Sequence, residues 1–241
     1  MVSIIILCQN RLDMLKRAVE TILTNTVSEF EFIFVLQASN DEVVNYVNSI
    51  DHEKTIYRFD TNTGVTPGRN KGIELSKGDY LLFFDDDAYV SEEKQHIPEV
   101  EHNLDWLQRM LQYFNDPSVG VVSQTGSYIN VDTPGTFWEC KGRGAECDVG
   151  QGYCFMFSRA VVNAIGELDP YFGKFWHEES EYALRAKYHG FKVIDADYIG
   201  VTHYGSSSGD DGTYGNKIKY MFGKWKQHFP KILVGRDKWI I

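Results

Sequence analysis

The chain has 241 residues, 43% of them hydrophobic and 14% aromatic, which is ample for a buried core and incompatible with wholesale disorder. Its net charge of −10 argues against nucleic acid as a partner, because such binding draws most of its affinity from Lys and Arg on phosphates. No apolar run approaches the ~20 residues of a bilayer span, and the opening "MVSIIILCQNR" is too short for a signal peptide, so a cytoplasmic or cytosol-facing protein is expected.

In chain order, "VSIIILC" (2–8) is a continuous β-branched run, the mark of a strand covered on both faces. A helix follows, with Leu12, Leu15, Val19, Ile22 and Leu23 on one stripe. "FEFIFVL" (30–36) is a second strand, and Asp41 is expected to cap a short helix carrying Val43, Val44 and Val47. "TIYRF" (55–59) is a third, weaker strand. "NTGVTPGRNKGIELSKG" (62–78) reads as a Gly-containing loop entering a helix, with Thr66 as cap and Pro67 in the first helical position. "DYLLFF" is the fourth strand. Such alternation over the first ~90 residues predicts an α/β fold, with a Rossmann-like, mostly parallel central sheet flanked by helices.

Beyond residue 90 the pattern is less regular. "NLDWLQRMLQYF" (103–114) is a helix, "VGVVSQ" and "GYCFMFS" are strands, and the Gly- and aromatic-rich residues 124–150 resemble a binding loop. "ESEYALRAKYHG" (179–190) is a helix closed by Gly190, and "YIGVTHYG" is a strand ending at His203. "GSSSGDDGTYGN" (205–216) has the composition of a mobile lid. With no repeats and no interdomain linker, one domain is expected, divided into residues 1–90, 91–205 and 206–241, the last a flexible loop with a basic tail.

Charge and cysteine placement add detail. Residues 214–241 carry Lys217, Lys219, Lys224, Lys226, Lys231, Arg236 and Lys238 against Asp237 alone, leaving −16 for the rest of the chain. Two uses of this tail stand open: a peripheral contact with an anionic membrane, or a helix packing Tyr220, Met221, Phe222, Trp225 and Phe229 on the domain. Cys8 reads as a buried thiol. Cys140, Cys147 and Cys154 are spaced by seven, unlike zinc ligands, and are odd in number for disulfides.

"LLFFDDDAYV" (81–90) drives an apolar strand straight into Asp85, Asp86 and Asp87. Adjacent carboxylates repel by roughly 1 kcal/mol in water and about 4 kcal/mol at a shielded site. An open loop can solvate that repulsion, giving only an acidic turn. A hard divalent cation instead turns it into binding, and Mg²⁺ favours one or two carboxylates plus phosphate oxygens. In parallel sheets ligands bind beyond the carboxyl ends of strands, where these acids stand. Arg69 and the backbone N–H groups near the start of its helix suit a phosphate. Glu178, Glu179 and Glu181 form a second acidic cluster, in which Glu181 can also pair with Arg185 at i+4.

Together these segments resemble family 2 glycosyltransferases of the GT-A fold. The resemblance runs from residue 2 to about 205 through "VSIIILCQNR", "FIFVLQASND", "NTGVTPGRNKGI", "KGDYLLFFDDDAYV", "EESEYALR" and "VTHYG". It implies a single GT-A-type domain that moves a sugar from a nucleotide-sugar donor to a hydroxyl of a saccharide or lipid-linked acceptor. Inversion at the anomeric carbon, a role in polysaccharide biosynthesis, and Mn²⁺ or Mg²⁺ as cofactor are implied with it. The Asp-x-Asp positions fall on Asp85 and Asp87, with Asp87, Asp85 and His203 at the metal. Donor contacts fall on Asn10, Arg11, Gln37, Asn62, Gly64, Arg69, Asn70, Asp85 and Asp86. Glu179 fills the base position, with Glu178 beside it in the catalytic pair. Trp138, Trp176 and His177 are expected on the acceptor side, with Phe137 and Tyr153 as further candidates for a sugar platform. The family's uracil-contacting Asp falls on Leu36 or Gln37, and its first-turn Tyr is Gln9, which leaves the donor base open. The competing readings are a sugar nucleotidyltransferase on a related sheet, whose Gly-rich triphosphate loop "LCQNRLDM" lacks, and a non-catalytic sugar-nucleotide-binding module.

Overall fold

The computed structural model describes residues 1–91, 104–140, 143–197, 199–205 and 212–234. Its first half runs β1 (Val2–Cys8), α1 (Leu12–Asn25), β2 (Phe30–Gln37), α2 (Asp41–Ser49), β3 (Lys54–Phe59), α3 (Val65–Leu75), β4 (Tyr80–Phe84) and β5 (Ala88–Val90). Then come α4 (Trp106–Leu111), β6 (Val119–Ser123), β7 (Gly126–Ile129), β8 (Phe137–Glu139), β9 (Ala145–Glu146), β10 (Val149–Gly150) and β11 (Cys154–Ser158). The remainder is α5 (Arg159–Ile165), α6 (Glu178–Tyr188), β12 (Lys192–Asp195), β13 (Val201–His203), α7 (Tyr214–Trp225) and α8 (Phe229–Ile232).

Eight strands form the central sheet in the order β3-β2-β1-β4-β11-β6-β12-β9. β1 to β4 are mutually parallel, β11 runs against both its neighbours, and β12 is parallel to β6. The sheet is therefore mostly parallel, with helices on both faces. Because β1 and β2 are covered on both sides, every second residue feeds a different core. Ile4, Ile6, Phe32 and Phe34 join the core shared with α1, α2 and α4, whereas Ile5, Ile33 and Val35 face the core shared with α3 and α5 to α8.

Helix α3 shows how tightly one of these faces closes. A Cβ on Gly72 would lie 2.3 Å from Cγ2 of Ile5, itself 1% exposed in β1. Gly72→Ala is expected to lower stability by a net ~1–2 kcal/mol, because overpacking at a rigid core strand outweighs the ~1 kcal/mol that Ala gains over Gly in a helix. Thermal unfolding should record a fall of roughly 2–8 °C; an unchanged or higher Tm would mean that β1 yields.

Several local expectations are corrected. Asn40, not Asp41, caps α2, accepting from the Val43 amide at 3.1 Å. Helix α3 is capped by Gly64 at φ +92°, which places Thr66 and Pro67 inside the first turn. Leu23 is 38% exposed, off the stripe formed by Leu15, Ala18, Val19 and Ile22. The helix expected at 103–114 is α4 plus a 3-10 turn over Gln112–Asn115, with Asp105 and Gln108 forming a capping box; residue 103 lies outside the described residues. The stretch 124–150 is not a plain loop. β10, β7 and β8 form a three-stranded antiparallel sheet that buries Tyr128, Ile129, Cys147 and Val149.

Of the expected lid, 206–211 lie outside the described residues, and Tyr214 already begins α7. Met221, Phe222, Trp225 and Phe229 of the tail are buried in the core, which is the packing use of that segment; residues 235–241, including Arg236 and Lys238, lie outside the described residues. Among the described residues no helix is long and apolar enough to cross a membrane. All four cysteines are buried thiols outside any disulfide.

Candidate active site

The carboxyl ends of β1, β2 and β4 open into a cavity of about 770 Å³. The apolar strand β4 ends at Phe84, and the next three residues turn over a hydrogen bond from the Ala88 amide to the Asp85 carbonyl. The Asp85 amide donates to the Tyr153 carbonyl on the neighbouring strand's approach, and the Tyr204 amide donates to the Asp87 carbonyl. A two-stranded ribbon of β5 and β13 sets His203 opposite Ala88 and so beside the acids. Asp85, Asp87 and His203 each offer one ligand atom, all within 4.8 Å of one another.

The imidazole is fixed from two sides. Nε2 of His203 is 3.1 Å from Asp87 Oδ1, and its ring stacks on Tyr153 at 4.6 Å with a 3° interplanar angle. Tyr153 in turn bonds Thr125 through its hydroxyl. Burial works against a charged His203, but the hydrogen bond to Asp87 and the charges of Asp85 and Asp87 prevail and hold its pKa above the ordinary value. Asp86 points inward, 3% exposed, and pairs with the Arg11 guanidinium, which also reaches Asp87 at 3.1 Å. Burial lifts the Asp86 carboxyl to about 7 even against the pull of Arg11.

Arg69 is a buried strut between the two acidic clusters. It reaches Asp85 at 3.0 Å, Glu178 at 2.8 Å and the Gly152 carbonyl at 2.8 Å, with its guanidinium over the Phe83 ring. Glu178 is thereby committed to an ion pair, whereas Glu179 faces the cavity, half-buried. Burial, with Glu178 alongside, raises the Glu179 carboxyl to about 8, although Arg69 and a backbone hydrogen bond work the other way.

The Trp176–His177 step preceding α6 is unusual: both residues have left-handed φ, 72° and 69°. Side-chain-bearing residues pay for such angles, and strain of this kind concentrates at functional sites. The turn lays His177 flat against Phe137 at 5.4 Å and beside Tyr214 at 4.9 Å, while Trp176 meets Tyr214 edge-on. Burial and nearby Lys217 push His177 down to about 4, so it is neutral at physiological pH.

Most of the residues expected at the site line this cavity: Arg11, Gln37, Asn62, Gly64, Arg69, Asp85, Asp86, Asp87, Trp176, His177, Glu178, Glu179 and His203. Three do not. Asn10 accepts from the Asn40 amide, Asn70 is engaged on both sides by the Leu168 backbone, and Trp138, 47% exposed on β8, is off the wall. Leu36 is in the core, so the end of β2 is represented by Gln37, whose amide is spent on Thr63 and Gly64. Glu181 pairs with Arg185 as expected but is fully buried and also meets Lys224 and Trp225. The start of α3 is occupied, with Val65 and Thr66 amides donating to the Lys174 and Gly173 carbonyls. Lys174 and Tyr214 also line the cavity, without any signal in their local sequence.

Residues 3–97 match the model of glycosyl transferase family 2. An uncharacterized glycosyltransferase of Haemophilus influenzae is 39% identical over 94 residues, which is 39% of this chain and 32% of that protein. A PGL/p-HBAD biosynthesis glycosyltransferase of Mycobacterium bovis is 33% identical over 97 residues, 38% of each chain. The chain thus spans about a third of the length of these curated relatives. Among solved structures, the mannosyltransferase PcManGT from Pyrobaculum calidifontis, in complex with GDP-Man and Mn²⁺, superposes with a TM-score of 0.67 at 15% identity, covering 94% of this chain and 64% of that one. GalNAc-T7 with UDP, GalNAc and Mn²⁺ gives 0.74 at 13% identity, covering 95% and 49%. The fold is of the GT-A class, and its N-terminal portion, residues 3–97, is similar to family 2 glycosyltransferases.

Proposed function

We propose that this protein is a divalent-metal-dependent glycosyltransferase that moves a sugar from a nucleoside-diphosphate donor to an acceptor hydroxyl. The observation that carries the reading is the Asp85–Asp87–His203 cluster at the strand ends of a strongly acidic cavity. Among the described residues, five carboxylates line that cavity (Asp85, Asp86, Asp87, Glu178, Glu179) against Arg11, Arg69 and Lys174. Both arginines are already paired. At the strand ends a diphosphate would therefore meet the carboxylates of Asp85 and Asp87 with both neighbouring guanidinium groups already engaged, and a cation seated on these two acids would relieve that repulsion.

Two carboxylates and one imidazole fit a hard-to-borderline divalent ion, and the nitrogen ligand favours Mn²⁺ over Mg²⁺. Bound there, the ion would stabilise the charge that grows on the departing diphosphate. Tyr153 holds the His203 ring in plane for that task, and Arg11 keeps Asp86 folded inward. Glu179, at the opposite acidic cluster, accepts the proton of the attacking hydroxyl. One base and a single in-line attack correspond to inversion. Phe137, Trp176 and Tyr214 supply an aromatic wall for an acceptor sugar ring.

The solved neighbours carry GDP-Man or UDP, so both base types belong in a donor screen. Sugar nucleotides incubated with the protein and Mn²⁺ are expected to release nucleoside diphosphate, slowly to water and faster with a saccharide or lipid-linked acceptor. EDTA should abolish release. Binding of donors without any release, with every acceptor class tried, would favour a non-catalytic binding module instead. The tail's exposed Lys219, Lys226 and Lys231 are the surface through which a peripheral membrane contact would be made, and flotation with anionic vesicles tests it.

A further inference from the structure

The cations of this cavity are not equivalent. Arg11 is held by Asp86 and Asp87, and Arg69 by Asp85, Glu178 and the Gly152 carbonyl. Lys174 is exposed on the cavity wall and has no ion-pair or hydrogen-bond partner for its ammonium among the described residues. Its backbone, in contrast, is held firmly. The Lys174 carbonyl accepts from the Val65 amide at 3.1 Å, and the Gly173 carbonyl accepts from the Thr66 amide at 2.9 Å. Gly64 closes the third side: a Cβ there would fall 2.6 Å from Lys174 Cα and 2.8 Å from its Cγ. The stem of the side chain is thus clamped while its charge is left uncommitted.

That clamp has a chemical consequence. The start of a helix ordinarily offers free N–H groups to a phosphate. In α3 the first two of these groups are consumed by residues 173 and 174, so the helix start is closed to an anion. The same segment, however, brings an ammonium to that wall, and Lys is a competent point-charge partner for phosphate. We infer that Lys174 takes the negative charge of the donor's phosphates, replacing the helix amides that its own backbone occupies. This rests on the donor reading above, and it separates the phosphates from the base: Lys174 reads charge, not the nucleobase.

The test is titration of wild type, Lys174→Gln and Lys174→Arg with a nucleoside, its monophosphate and its diphosphate, all with Mn²⁺ present. The base is the one preferred by the wild type. Lys174→Gln is expected to weaken diphosphate binding about tenfold, the monophosphate less, and the nucleoside by under about twofold. Lys174→Arg should recover most of the loss, and the salt dependence of diphosphate binding should flatten in the Gln variant alone. Unchanged diphosphate affinity in Lys174→Gln, with wild type binding normally, overturns this inference and leaves the donor reading intact. Equal weakening of nucleoside and diphosphate also overturns it, making Lys174 a base or packing contact. A wild type that binds no nucleotide with Mn²⁺ overturns both.

Discussion

Glu179→Gln is expected to cut donor turnover by roughly 10²–10⁴-fold, the usual worth of a positioned general base, while making the protein more stable at neutral and alkaline pH. Both effects come from one carboxyl. Its folded-state pKa, raised to about 8 from an ordinary value of 4.5, means that the folded protein holds a proton which the unfolded chain releases. Wild-type stability from this group is complete below pH ~4.5 and is lost as pH rises towards 8. The amide cannot titrate, so the Tm advantage of the variant should be absent near pH 4, grow through that window, and level off above it. About 1 kcal/mol, or ~2–4 °C, is enough to detect. Turnover in the wild type should rise with pH over the same interval as the base deprotonates. Loss of activity without the pH-dependent gain in Tm would leave Glu179 as a contact residue and remove it as the base.

Removing the guanidinium of Arg69 is expected to have the largest effect on stability. Arg69→Met strands Glu178, which is 4% exposed, and takes from Asp85 the cation that holds it. Breaking a buried pair from one side costs about 3–5 kcal/mol, or roughly 6–20 °C in Tm. Two further measurements show where the cost arises. Adding Glu178→Gln to Arg69→Met should recover much of the loss, because the orphaned charge is gone. Mn²⁺ should recover a smaller part, since Asp85 belongs to the candidate metal cluster with Asp87 and His203 whereas Glu178 does not. A single variant within 1 kcal/mol of wild type would show that the strut carries little.

The sequence was most informative where chemistry and fold are local. β1, β2 and β4 announce themselves as continuous apolar runs, and Asp85 to Asp87 follow one of them directly, so the strand end and its acids could be read together. His203 was legible for the same reason, at the end of a strand beside a Gly-rich stretch. The small sheet over 126–150 was not, because "GSYI", "FWE" and "VG" are too short to show a period and are broken by Gly and polar residues. The choice of Asn40 over Asp41 turns on backbone geometry that neighbouring acceptable caps do not reveal.

Long-range pairings were hidden altogether. Arg69 and Glu178 are 109 positions apart, and only their meeting turns a predicted phosphate ligand and a predicted catalytic acid into one buried strut. Lys174 lies in "YFGKFWHEE", where nothing marks it; the strain at Trp176 and His177 and the closure of the α3 start by residues 173 and 174 exist only in the folded chain. Asn70 fell to the same cause, turned by the helix towards Leu168 and away from the cavity.

Calorimetric titration of nucleoside diphosphate into wild type and Asp87→Ala, each with and without Mn²⁺, puts the central claim to its most direct test. Wild type should bind in Mn²⁺ and lose most of its affinity in EDTA, and Asp87→Ala should bind no better with Mn²⁺ than without it. Equal affinity in all four titrations would contradict the account, because the diphosphate would then be held without any ion on Asp85, Asp87 and His203.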